Sequence, residues 1–175
     1  SAPKFASSAA HLTGKSRTLS ESFGLGSGWA TTLRTLRHLT DWQVALGINN
    51  RCQHLSWYTM LGQAKRDYPA GIFYQSPWWE HYAKVEDYFA RIHAVMTRGA
   101  EVRDLLVVHP VESQWVNIRL GWKQNEQVRE LDNSIISLRA TLQGANMDFD
   151  YGDEELLSRH AKVVRKKGQP VLVFG

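Results

Sequence analysis

Between Arg17 and Tyr58 the hydrophobic period of the chain changes twice, and this limits what the chain can fold into. Arg17 to Ser20 reads as a short strand leading to Glu21, followed by the glycine-rich stretch Gly24-Leu25-Gly26-Ser27-Gly28. From about Ala30 to Leu46, the residues Leu33, Leu36, Leu39 and Val44 recur at roughly helical spacing, and Gly47 is the stop. A second strand starts at Ile48 and runs toward Gln53, His54 and Trp57. Strand, helix, strand is a βαβ unit, so its two strands are expected to pair in parallel.

The same reading extends along the chain. Residues 5–14 read as the end of a helix stopped by Gly14. A polar, aromatic loop from Ser56 to Pro77 precedes a long helix, Trp78 to about Arg98. There Val85, Tyr88, Phe89, Ile92, Val95 and Met96 form one apolar stripe, closed by Gly99. The run Asp104 to His109 is almost wholly apolar, as expected of a strand covered on both faces. A helix near Lys123–Gln143 carries Val128, Leu131, Ile135, Leu138 and Leu142. Met147–Tyr151 reads as a strand, Asp153–Ala161 as a short helix opening on acids, and Val171–Phe174 as another strand. The alternation implies an α/β layer fold, with one unit over 1–98 and a second over 99–175. The final stretch, Pro170 to Gly175, reads as a buried parallel strand that needs partners and a covering helix. The expectation is therefore an internal piece of a longer protein.

Bulk properties exclude several classes. At 175 residues and 43% hydrophobic, the chain can bury a core. The net charge of +4 is mild, and Arg165-Lys166-Lys167 is too short a run for a nucleic-acid footprint. No stretch reaches the ~18 apolar residues of a membrane span, and no signal peptide is visible. The lone Cys52 excludes an internal disulfide framework and leaves the compartment open.

Glu21 is the first candidate for chemistry. In barrels of parallel strands, working side chains sit at the C-terminal strand ends, where the βα loops form an open mouth. Glycosidic cleavage needs two carboxyl groups, one to protonate the leaving oxygen and one to attack carbon or activate water. Glu21 fits the second role by position; equally, a strand-end glutamate can cap the following loop or pair with Arg17 or Arg34. Asn49, Gln53, His54, Trp57 and Tyr58 form the second candidate, with Trp29. Sugar recognition sets aromatic faces against C–H surfaces and amides or imidazoles against hydroxyls. Asn49, Gln53 and His54 can supply those bonds, with Trp57 or Trp29 as the platform. The competing account is that Asn49 satisfies a turn and His54 is a hydrogen-bonded core histidine.

Other patterns carry less. Lys65-Arg66-Asp67-Tyr68-Pro69 reads as a charged turn held by its own Arg–Asp pair, or as a rim that bonds a sugar. Trp78-Trp79 reads as packing between the two units. The glycine loop departs from the dinucleotide pattern, because its third glycine comes one residue early and no acid ends the second strand. Metal ligation by His109 with Glu112, or by His81 with Glu80, lacks a recognised spacing, and no cofactor is called for. Cys52 reads as a small buried side chain.

Ser7-Ser8-Ala9-Ala10-His11, Leu19-Ser20-Glu21-Ser22-Phe23-Gly24, Trp29, Asp41-Trp42-Gln43, Leu46-Gly47-Ile48-Asn49 and Gln53-His54 together resemble the C-terminal part of the catalytic barrel in glycoside hydrolases of the α-L-rhamnosidase type. The resemblance continues through Lys65-Arg66-Asp67-Tyr68-Pro69 and Pro77-Trp78-Trp79 into Leu106 to Ser113. It implies an α/β chain: the C-terminal portion of a TIM-like (β/α) barrel over 1–98, then the beginning of a flavodoxin- or amidotransferase-like α/β domain over 99–175. It also implies that Glu21 is a catalytic carboxylate at the end of the seventh barrel strand. Gly47-Ile48-Asn49 would start the eighth, with His54 facing the substrate. The partner acid lies on an earlier strand in such enzymes, outside this sequence, so the chain is expected to be inactive alone. The implied partner is a carbohydrate substrate, with no nucleic acid and no membrane. Two alternatives stand beside this reading: a carbohydrate-binding protein that keeps the fold without the chemistry, and a nucleotide- or nucleic-acid-binding α/β module suggested by the glycine loop and basic balance.

Overall fold

The computed structural model describes residues 2–24, 28–54, 56–63, 66 and 71–174. Leu25–Ser27 of the glycine loop, and Lys65 and Asp67–Pro69 of the charged turn, lie outside the described residues. In chain order the elements are α1 (Ala2–Leu12), β1 (Leu19–Ser22), a 3₁₀ turn (Gly28–Ala30), α2 (Leu33–Ala45) and β2 (Asn50–Gln53). A second 3₁₀ turn (Trp79–His81) leads into α3 (Tyr82–Met96). Then come β3 (Leu106–Val108), α4 (Val111–Asn117), a 3₁₀ turn (Trp122–Gln124), α5 (Glu126–Gly144), β4 (Asp150–Gly152), α6 (Glu154–His160), β5 (Ala161–Lys166) and β6 (Gln169–Phe174).

The chain divides into two units, one built from Ser1–Lys15 with Glu101–Gly175, the other from Ser16–Ala100. This grouping differs from a single cut at 98/99, because the first fifteen residues belong with the C-terminal part. The reason is side-chain chemistry on α1. Its buried face is Lys4, Ser7, Ser8 and Leu12, three of them polar, and two of these find partners near β4. The Lys4 ammonium pairs with Asp148 and lies 5.1 Å from the Phe149 ring centre. Ser8 Oγ accepts the Tyr151 backbone N–H at 2.9 Å. Gly14 ends the helix with φ +67°, and Lys15 N–H reaches back to the Ala10 carbonyl at 2.8 Å, a glycine-terminated helix end.

In the unit of residues 16–100, β1 and β2 pair in parallel with Leu19 opposite Asn50 and Glu21 opposite Cys52, as the βαβ reading expects. Thr32 caps α2, its side chain accepting from Thr35 N–H at 3.2 Å. The core there is Phe23, Leu36 and Ile72, flanked by Leu33, Leu39, Trp78, Tyr82 and Val85. The apolar stripe of α3 is buried only in part: Phe89 is fully enclosed, whereas Val95 and Met96 are exposed. Trp78 packs inside this unit and donates its Nε1–H to the Thr31 carbonyl at 2.9 Å.

In the other unit, β3 and β4 also pair in parallel, around a core of Val107, Phe149 and Tyr151. The last strand departs from the expectation of a parallel, two-face-covered element. β6 pairs antiparallel with β5, with Lys166 opposite Gln169. The two-residue loop Lys167-Gly168 has φ of 49° and 81°, the paired positive values that a tight hairpin turn requires. The basic run therefore forms the end and turn of a hairpin, and its lysines mark an exposed strand. α4 is an element that periodicity does not reveal, being only 7 residues long.

Asp148 makes the fold acid-sensitive. Burial pushes its carboxyl up, but hydrogen bonds from Lys4 and the Phe149 N–H, with the charges of Lys4 and Arg103, outweigh burial and hold it below its ordinary value of 3.8. A carboxylate depressed in the folded state contributes stability above its unfolded value and loses it as the pH falls. Denaturant titrations at stepped pH should show stability declining below about pH 4, with part of the decline absent in Asp148→Asn. Identical pH profiles for the two proteins would refute this.

Candidate active site

Strand alternation decides which side chains of β1 and β2 can meet. Ser20 and Ser22 turn toward α2: Ser22 Oγ donates to Gln43 Oε1 at 3.0 Å, and Gln43 Nε2 donates to Ser20 Oγ at 3.0 Å. Arg51 and Gln53, their partners in register, turn toward α3 and reach Glu86. Leu19, Glu21, Asn50 and Cys52 therefore share the opposite face, and all four are exposed.

Glu21 stands on that face one residue before the C-terminal end of β1, with its side chain 66% exposed. His54 follows β2 directly and continues the ladder, its N–H donating to the Ser22 carbonyl at 2.7 Å. Its ring returns to Glu21, where Nδ1 donates to Oε1 at 3.0 Å, while only 16% of the imidazole is exposed. Gly24 makes room for this ring: a Cβ at position 24 would sit 2.9 Å from His54 Cγ. The acid and the imidazole are thus brought together across the strand pair.

The remaining candidates fall elsewhere. Asn49 pins the entry to β1 and β2, accepting from the Thr18 N–H at 2.9 Å and donating to the Ser16 carbonyl at 3.0 Å. Gln53 donates to Glu86 Oε1 at 2.9 Å, on the face away from Glu21. Trp29 and Trp57 stack on each other with ring centres 4.7 Å apart and planes 16° from parallel, and Trp57 meets Phe73 edge-on at 5.7 Å. Tyr58 is fully exposed. Cys52 is exposed rather than buried.

Sequence reading missed the cluster beneath the sheet. The Arg51 side chain is 5% exposed, donates from Nη2 to Glu86 Oε2 at 2.8 Å and lies 4.3 Å from the Phe89 ring centre. Tyr82 donates to Glu86 as well; burial, then that bond, pushes its phenol well above its ordinary value, so it remains a donor. Burial, then the Arg51 charge, pushes His93 below the usual imidazole value. The available signal was the alternation itself, which sets Arg51 and Gln53 on one face. Among the described residues, no group of three or more His, Cys, Asp or Glu is placed to hold a metal ion. No helix among them is long and apolar enough to cross a membrane.

Comparison with known proteins gives one bearing on this geometry. No family model matches the chain. Over 110 residues, 60% of the chain, it is 34% identical to a Formosa agariphila protein named "Putative beta-glucuronidase". The match spans 9% of that protein's length. The chain is thus similar, over a short stretch, to a protein named as a glycoside hydrolase.

Two substitutions test the construction. Gly24→Ala should displace the His54 ring and shift its carbon-bound proton resonances, whereas Gly144→Ala, with nothing within 4 Å of its Cβ, should leave them in place. Unchanged His54 resonances in Gly24→Ala would contradict the packing described. Glu86→Leu should cost on the order of 3 kcal/mol in chemical denaturation, because it leaves the Arg51 guanidinium buried without its carboxylate. A loss below about 0.5 kcal/mol, the scale of an ordinary surface change, would show that Arg51 needs no counter-charge.

Proposed function

We propose that residues 16–100 supply part of the sugar-cleaving site of a glycoside hydrolase, with Glu21 as nucleophile or base. One observation carries the reading: an exposed carboxylate near the C-terminal end of a parallel strand accepts a hydrogen bond from the imidazole that follows the neighbouring strand. The similarity to a protein named "Putative beta-glucuronidase" supports the reaction class. On this reading β1 and β2 are the last two strands of a TIM-like barrel, and their bare face, Leu19, Glu21, Asn50 and Cys52, looks into its lumen. Residues 101–175 belong, with residues 1–15, to a separate α/β unit.

His54 orients Glu21, and the Trp29–Trp57 stack, with Trp29 45% exposed, offers a ring face for a sugar. Asn49 acts through the backbone it pins, and Gln53 through Glu86, so both are positioning residues in this scheme. The chemistry needs a second carboxyl group. In this proposal it comes from outside residues 1–175, and the chain alone is inactive. The sugar is a glycuronide, as the relative's name suggests, or a rhamnoside, as the resemblance of the barrel segments suggests.

The test is Glu21→Gln in the full-length parent, assayed on aryl β-glucuronides and aryl α-rhamnosides. Turnover of whichever glycoside is cleaved should fall by at least about a hundredfold, the scale of losing an acid–base group. Near-normal turnover would refute the assignment. Glycan binding without hydrolysis by the unmodified parent would favour a carbohydrate-binding protein instead.

A further inference from the structure

The unit built from residues 1–15 and 101–175 contains a cavity of about 750 Å³, whereas Glu21 and His54 belong to the other unit. Its volume falls in the range of small-molecule sites, and its make-up matches theirs: mostly apolar walls with a few convergent polar groups. Leu12, Leu106, Leu172 and Phe174 contribute the walls, and His11 and Asp150 the polar end.

The polar end is a built arrangement. The Asp150 side chain is only 4% exposed, and both of its oxygens are engaged: Oδ1 accepts from Arg103 Nη1 at 2.6 Å, and Oδ2 faces His11 Nδ1. Arg103, 2% exposed, also meets Glu101 and lies 3.2 Å from Asp148 Oδ2, and Lys4 pairs with the other Asp148 oxygen. Each Asp150 oxygen thus already has a partner. The effect of Asp150 is to keep a proton on His11 Nδ1 and fix the ring's orientation, because a carboxylate accepts only. The ring's other nitrogen, Nε2, is left to hydrogen-bond a ligand, and the His11 side chain is 41% exposed.

Charge narrows the ligand further. Lys4, Arg103 and His11 stand among Glu101, Asp148 and Asp150, each of these carboxylates already paired, and Asp104 is a further, exposed carboxylate on the cavity wall. An anion is disfavoured there. An uncharged, hydroxyl-bearing ligand with an apolar face needs no counter-charge and can bond His11 Nε2 whether or not that nitrogen carries a proton.

We propose that this cavity binds a neutral, hydroxyl-bearing ring such as a pyranose, which hydrogen-bonds one hydroxyl to His11 Nε2 and lays its C–H face against Leu172 and Phe174. The site is separate from the role proposed for Glu21 and stands or falls without it. The test is a titration of the 175-residue chain with methyl β-D-glucopyranoside, read from side-chain methyl resonances, with benzoate and benzylamine as charged rings of similar size. The sugar should give saturable shifts at Leu106 and Leu172. His11→Ala should weaken binding at least about tenfold, the scale of leaving a ligand hydroxyl unpaired. Leu172→Trp, at a 42% exposed hairpin position, should obstruct the wall on which the ring lies and weaken the saturable shift at Leu106 while the melting temperature holds. Tighter binding of either charged ring, no saturation by the sugar, or shifts at Leu36 and Ile72 in place of Leu106 and Leu172 would overturn the proposal. So would full affinity in His11→Ala.

Discussion

An alternating row of charges joins α1 to the strand it covers: Lys4, Asp148, Arg103, Asp150, His11. Its first link spans 144 positions in sequence. Loop closure over so long a segment is not prohibitive, since each doubling of loop length adds only about 0.6 kcal/mol. What the row secures is specificity. Lys4 is 1% exposed, and a lysine buried so deeply needs a counter-charge in any arrangement the helix adopts. α1 is thereby bound to one position on β4, and residues 16–100 become an insertion within the unit that α1 helps to build.

Within that insertion the four-residue parallel ladder has a comparable effect. Its register sets Ser20 beside Arg51 and Glu21 beside Cys52. Sliding β2 by one residue would turn Arg51 away from Glu86, and sliding β1 instead would turn Ser22 away from Gln43, against which it is buried. The helix-side face is thus fixed by hydrogen bonds as well as by apolar contact. The opposite face, with Leu19 57% exposed, has no covering element within this unit among the described residues. A short parallel pair bare on one side is unusual, since parallel sheets are ordinarily covered on both.

How much of this was legible in the sequence differs by element. The βαβ unit could be read because its helix carries leucines at helical spacing and its strands are flanked by glycines. The parallel pairing followed from the connection alone. The hairpin was misread because Val171 to Phe174 has the continuous apolar character of a buried strand. The signal that decides otherwise, Lys167-Gly168 as a tight turn, was counted as charge. The site was half legible. Spacing placed Glu21 and His54 at adjacent strand ends but could not say that Asn49 and Gln53 are taken up by Thr18, Ser16 and Glu86. α1's allegiance was illegible, because it depends on Lys4 meeting Asp148, a contact that no local pattern encodes.

Two of the ion pairs in residues 16–100, Arg51–Glu86 and Glu21–His54, differ in a way that bears on function. Arg51–Glu86 is shielded on the arginine side, reinforced by Tyr82 and Gln53, and its logic is structural: a buried cation must be neutralised. Glu21–His54 has its carboxylate two-thirds exposed, where an ion pair contributes about 0–1 kcal/mol at best. Stability does not account for the care with which it is set up, including a glycine whose Cβ would collide with the imidazole. A solvent-facing carboxylate, oriented by a largely buried ring near the end of a parallel strand, has the accessibility that reacting groups require and that core ion pairs lack. That contrast in exposure sets Glu21 apart from Glu86.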